Sequence, residues 1–113
     1  MEIREKDNNF IITPLSPKLS QRESLRLTDE IENLIRECDS ENIGLDMSLV
    51  QDCTIDFIKS ILSFKSISLF NIHSDIFAIF ASMDIDKKID LYVSELDFLH
   101  KKHKLINRKF AVI

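Results

Sequence analysis

Apolar positions along the chain change spacing several times, and each change marks an element. Residues 2–6 and 10–13 (Phe10-Ile11-Ile12-Thr13) read as two short strands joined by an Asp7-Asn8-Asn9 turn. Pro14 and Pro17 bracket a loop, because neither can donate to a strand ladder and each restrains the residue before it. Ser20-Gln21-Arg22-Glu23 then has the form of a capping box, serine first and glutamate three residues later. Leu27, Ile31, Leu34, Ile35 and Cys38 follow at helical spacing with charge opposite, which predicts an amphipathic helix over 21–38. Asp39 to Asn42 closes it in polar residues.

The second half repeats this alternation. Ile43-Gly44-Leu45-Asp46-Met47 is short and apolar enough for a buried strand, with Asp46 the exception. Thr54 can cap a second helix carrying Asp56 in its first turn, with Ile55, Ile58 and Leu62 as an apolar stripe widened by Phe57 and Ile61. Lys65 to Ile72 reads as another strand. Ser74 caps a third helix through Ile76, Phe77, Ile79, Phe80 and Met83. Ile89, Leu91 and Val93 alternate with Asp90 and Tyr92 as a half-buried strand, and Ser94 with Asp97 three residues on opens a last helix. The order β-β-α-β-α-β-α-β-α requires crossovers. It predicts an α/β fold with a single mixed sheet of four or five strands and four helices, mainly on one face.

Composition narrows the class. At 113 residues the chain is expected to be one domain, 1–113, with a single core. Apolar residues at 44% and charged residues at 30% are the balance of a globular protein. A net charge of -4 argues against bulk attraction to nucleic acid or to an anionic membrane. No apolar run exceeds Ile76 to Ala81, well short of the roughly 18 residues that suggest a membrane span. Met1 is followed by Glu2, Arg4, Glu5 and Lys6, which does not fit a secretory leader. Cys38 and Cys53, without a CxxC pair, read as reduced thiols, and the expectation is a soluble, cytoplasmic protein.

Candidate chemistry is sparse. Asp97, His100 and His103 step by three residues and drift around a helix instead of converging on a metal. Asp84, Asp86 and Asp90 lack the glycine and the closing glutamate of a calcium loop. Gly44 is the single glycine, so no glycine-rich phosphate cradle exists, and no nucleophile–base set can be assembled around His73. The basic run Lys101-Lys102-His103-Lys104, with Arg108 and Lys109, reads as a solvated helix end. The apolar tail Phe110 to Ile113 is expected to dock back on the domain or to face a partner. No enzyme, cofactor or metal is expected. The segment without a purely structural reading is the acidic turn from Asp46 to Asp56.

That turn carries a resemblance. Ile43-Gly44-Leu45-Asp46-Met47-Ser48-Leu49-Val50 resembles the strand of the anti-sigma-factor-antagonist (STAS) family that ends in hydrophobic-Asp-Leu-Ser-x-Val. Phe10 to Leu19, Lys65 to Ile72, Ile89 to Val93 and Ser94 to Leu99 fall in the family's order, so the resemblance covers nearly the whole chain, by pattern more than identity. It implies a STAS-like fold and a bacterial, protein-binding regulator of transcription that works by partner switching. In the family, the loop after the strand holds Asp-Ser-Ser/Thr-Gly, whose serine is phosphorylated by an anti-sigma kinase.

The departures matter as much as the match. Aligned without a gap, Thr54 falls on the family's aspartate, Ile55 on its phosphorylated serine, Asp56 on the following Ser/Thr and Phe57 on its glycine. Pro17 stands where many members have glycine. A shifted register would put Asp52-Cys53-Thr54 on Asp-Ser-Ser/Thr but force Asp56 onto an apolar helix position; the ungapped register is preferred. The regulatory turn implied by the resemblance comprises Asp46, Ser48, Asp52, Cys53, Thr54, Ile55 and Asp56, with Thr54 as the candidate phosphosite and helix capping as its competing role. The implied partner is a protein, either a kinase-like anti-sigma factor or, alternatively, a subunit of a lipid-transport ATPase or signalling scaffold. Neither nucleic-acid binding nor direct membrane insertion is expected, and the oligomeric state is left open.

Overall fold

The computed structural model describes residues 1–38, 42–64, 66–102 and 104 of the chain. Strands β1 (Glu2–Lys6) and β2 (Asn9–Thr13) form an antiparallel hairpin. A two-residue hairpin loop matched to strand twist needs positive φ at both central positions. Asp7 at 52° and Asn8 at 64° supply it. Asn9, expected in the turn, instead opens β2 and donates from Nδ2 to the Asp7 and Lys6 carbonyls.

The remaining elements alternate as expected. They are α1 (Gln21–Cys38), β4 (Ile43–Asp46), α2 (Ile55–Leu62), β6 (Ile67–Phe70), α3 (Ser74–Ser82), β7 (Asp90–Tyr92) and α4 (Glu95–His100), with a 3-10 turn at Ile85–Lys87. Two dipeptide strands come in addition to the expected elements: β3 (Lys18–Leu19), next to the second proline, pairs in parallel with β5 (Asp52–Cys53) as a separate small sheet. The main sheet has the order β1-β2-β4-β6-β7, with β4 at its centre and every pair except β1–β2 parallel.

Both faces of this sheet are covered, as parallel strands require. On one face Ile12, Leu45, Leu69 and Leu91 join Leu27 and Ile31 of α1, Phe57, Ile58 and Ile61 of α2, and Ile76 and Phe80 of α3. On the other, Ile11, Phe70 and Tyr92 are covered by Phe98 of α4. Three helices on one side and one on the other match the expected arrangement. Phe98 stacks on Phe70 at 5.4 Å between centroids and meets Tyr92 edge-on at 6.0 Å. Gly44 lies directly beneath it: a Cβ there would stand 2.7 Å from the Phe98 ring and 2.9 Å from Phe70.

Several expectations need correction. Tyr92 is not a solvent-facing residue of β7 but lies buried in the α4 cluster, whereas Val93 is exposed, because α4 returns over the second face. In α2 the buried residues are Phe57, Ile58 and Ile61, and Ile55 is 61% exposed. Strand β6 stops at Phe70, where Asn71 turns to φ 56°. The N-cap of α3 is His73, with no side-chain cap, and Ser74 is already helical. Lys101 is not merely solvated: it ends α4 at φ 56° and its Nζ lies 4.1 Å from the Phe98 centroid, where burial lowers its pKa. Lys104 pairs with Asp90 at 3.1 Å and bridges Tyr92. His103, Arg108, Lys109 and the Phe110–Ile113 tail lie outside the described residues, as do Lys65 and residues 39–41. Among the described residues, no helix is long and apolar enough to cross a membrane.

Candidate functional site

Because β2, β4, β6 and β7 run parallel, the segments that leave their C-terminal ends share one edge of the sheet. The Asp46–Asp56 turn lies there, and the structure shows how it is held. Asp46 closes β4, and its Oδ1 accepts from the Ser48 backbone N–H at 3.0 Å and from Asn71 Nδ2 at 3.1 Å. The acidic exception in an otherwise buried strand is thus a clasp between the loops after β4 and β6. The Met47 N–H donates to the Phe70 carbonyl, and Met47 and Val50 are fully buried on either side of an exposed Ser48-Leu49 tip. His73 Nε2 donates to the Ser48 carbonyl at 3.0 Å, which requires the ring proton on Nε2.

The second half of the turn leans on the loop after β2. The Pro17 carbonyl accepts the N–H groups of Gln51 (2.7 Å) and Asp52 (3.1 Å), and the Leu19 carbonyl accepts that of Thr54 (3.2 Å). Thr54 caps α2 in extended conformation, its Oγ1 accepting from the Phe57 N–H at 3.3 Å. The cap expected from sequence is present. Fully buried Phe57 and nearly buried Ile58 and Ile61 then anchor the helix.

With both ends held, the outward set is small. Ser48, Leu49, Gln51, Asp52, Ile55 and Asp56 face solvent, while Asp46, Cys53 and Thr54 are half-buried. Among the described residues, no basic side chain lies within ion-pairing distance of the Asp56 carboxylate. Burial pushes the Cys53 thiol up to about 11, with the Asp52 carboxylate adding to the effect, so the thiol is neutral near pH 7 and a poor nucleophile. Among the described residues, no three His, Cys, Asp or Glu side chains are placed to hold a metal. What the edge offers chemically is a hydrogen-bonded relief of apolar and acidic groups.

Sequence reasoning missed Asn71, His73 and Pro17 as parts of this site. A signal existed for Asn71, since asparagine directly after an apolar strand is among the few residues that readily adopt positive φ. His73 touches a carbonyl 25 residues away, and nothing local announces such a contact.

No family model matches the sequence, and no curated protein matches it at a significant level. In backbone shape the chain is similar to a crystal structure from Thermotoga maritima described as a "putative anti-sigma factor antagonist". The TM-score is 0.71 at 14% identity, over 88% of this chain and 92% of that one. At that identity the two share an architecture, and the chain has the STAS-like α/β fold that its residue pattern resembles.

Proposed function

We propose that this chain is a non-enzymatic, cytoplasmic protein-binding domain of the anti-sigma-factor-antagonist type, docking through the Asp46–Asp56 turn in one fixed state. The observation that carries this reading is the start of α2: Ile55, 61% exposed, beside an Asp56 carboxylate that no described basic group neutralises. In the anti-sigma-factor-antagonist family, phosphorylation adds about -1.5 to -2 charges at this helix end and changes the partner's hold. Here Ile55 cannot accept a phosphate, the Thr54 oxygen is engaged as a cap, and Asp56 supplies one permanent charge. The domain is a constitutive partner, and Thr54 serves as a cap and not as a phosphosite.

Affinity capture from the protein's own cells, followed by titration of the recovered partner, tests this. Asp56→Ser and Ile55→Ser are each expected to change affinity by more than about tenfold, which is 1.4 kcal/mol, with little loss of stability. Unchanged affinity for a verified partner removes the docking assignment. Phosphate on Thr54, found by mass spectrometry after incubation with a captured kinase, overturns the fixed state. A captured transporter subunit would replace regulation by a structural role.

A further inference from the structure

Strand β1 forms one edge of the main sheet, and among the described residues no strand pairs with its outer side. Its pairing with β2 decides which groups face outward. Bonded and non-bonded residue pairs alternate along an antiparallel ladder, and the pair that closes a two-residue loop, here Lys6↔Asn9, is a bonded one. Arg4↔Ile11 and Glu2↔Thr13 are then bonded too. The Phe10 N–H, opposite Glu5, turns away from β1 and donates to the Asn42 carbonyl at 3.0 Å. This leaves the backbone N–H and C=O groups of Ile3 and Glu5 pointing out of the sheet.

Proteins guard such an edge with a short strand, a bulge, a proline, a cover or a charge. The far edge is guarded: β7 has three residues, and Lys104 bridges Tyr92 from outside. Strand β1 has five residues in unbroken register and no proline, so its charges alone stand against an incoming strand. Their order complements itself. Against an antiparallel copy centred on Arg4, each Glu2 would face Lys6 of the second copy, and Ile3 would face Glu5, the two residues with outward backbone groups. The two central arginines would meet already paired, because Glu95 holds Arg4 at 2.6 Å and Lys6 at 3.7 Å. The alternation allows two other registers. Centring on Ile3 leaves Lys6 outside the pairing, and centring on Glu5 sets Glu5 against Glu5 and Arg4 against Lys6. We infer that β1 is a homodimer edge, two copies of this chain joining β1 to β1 in antiparallel register about Arg4. The result is one continuous sheet of ten strands, five from each copy, closed by a two-fold axis. That axis sends the two Asp46–Asp56 turns to opposite ends of the joined sheet. Nothing in this pairing depends on the docking function proposed above.

An interface of five residue pairs is small, so the dimer is weak, and the test is sedimentation of the intact chain at up to about 1 mM in low salt. The wild type is expected to show a monomer–dimer equilibrium that weakens as salt rises. Glu2→Lys and Lys6→Glu each put like charges into both cross-copy pairs, and each is expected to weaken self-association by about tenfold or more. Mixed in equal amounts, the two variants oppose lysine to glutamate at both places. A heterodimer is therefore expected where neither variant dimerises alone, and its formation requires both to be folded. Glu5→Pro, which removes an outward N–H and leaves the bonds to β2 whole, is expected to fold and stay monomeric. Four results would each overturn the inference: a monomeric wild type at the top concentration, charge variants that dimerise as well as the wild type, a mixture that associates no better than its parts, or a Glu5→Pro protein that still dimerises.

Discussion

Helices α2 and α4 begin at the same edge of the sheet and with the same device, yet one start is closed onto the molecule and the other is left open. Ser94 accepts from the Asp97 N–H at 3.3 Å and donates to Asp97 Oδ2 at 3.0 Å; Thr54 accepts from the Phe57 N–H at 3.3 Å. At the next position they diverge. Glu95 is taken up by Arg4 at 2.6 Å and by Lys6 at 3.7 Å, which ties α4 to the β1 edge of the sheet. Ile55 is apolar and exposed, and the Asp56 charge after it meets no described cation. Capping makes both helices, and the residues just past the cap decide whether the charge serves the fold or a partner.

The contrast breaks most severely if α4 is detached. Phe98 is fully buried, and Phe98→Ala is expected to cost about 3–5 kcal/mol, a large share of the roughly 5–15 kcal/mol that holds a domain together. Urea unfolding measures it, and a loss below about 1 kcal/mol would show that α4 is not what seals the second face. Gly44→Ala attacks the same contact from below. Its Cβ would need the Phe98 and Phe70 rings to move, an overpacking expected to cost about 1–3 kcal/mol. A neutral result would mean that α4 can ride outward without loss.

These two residues also show what was legible in the sequence. The caps at Ser20, Thr54 and Ser94 could be read because a cap is a contact over three residues, and all three form: the Glu23 N–H reaches Ser20 Oγ at 3.4 Å, as the other two do at theirs. The central strand was legible because Ile43 to Met47 is short and apolar but for Asp46. Tyr92 and Ile55 were misassigned because their burial depends on which helix returns over which face, and alternation along a strand or stripe carries no such information. Gly44, as the single glycine, told from sequence only that no phosphate cradle exists, and Phe98, distant in sequence, explains why it is glycine. At the site, the acidic turn stood out by composition. The Asn71 clasp on the Asp46 side chain and the His73 and Pro17 contacts to backbone groups join residues 25 or more apart, and no spacing reveals them.

The cap pair sharpens the comparison at smaller amplitude. Thr54→Ala and Ser94→Ala are each expected to cost about 1 kcal/mol. Ser94→Ala should cost the more, since it also removes a donor to the Asp97 carboxylate. Partner affinity should respond only to Thr54→Ala, through the altered start of α2. Equal responses at both sites would mean that the whole edge docks, including the exposed Val93 and Leu96 of the α4 side.

The smallest effect is a pH dependence confined to the open side. Folding raises the Cys53 thiol from its ordinary value of 9.0 to about 11, first because burial disfavours the thiolate and then because Asp52 repels it. A folded value above the unfolded one means that the neutral thiol stabilises the fold in full below pH 9.0. That contribution declines as pH rises past 9.0 and is gone once pH exceeds about 11. Cys53 is only half-buried, so solvent screening keeps the change modest. The quantity to measure is the difference between the wild type and Cys53→Ser, a variant of similar shape that carries no thiol. The wild type is expected to lose more stability than Cys53→Ser on going from about pH 8 to about pH 10.5. Parallel curves would show that Cys53 is more open than the β3–β5 pairing makes it. In that case its peptide would also alkylate near pH 8 at the rate of an unfolded cysteine, and the turn would be less rigid than a fixed docking surface requires.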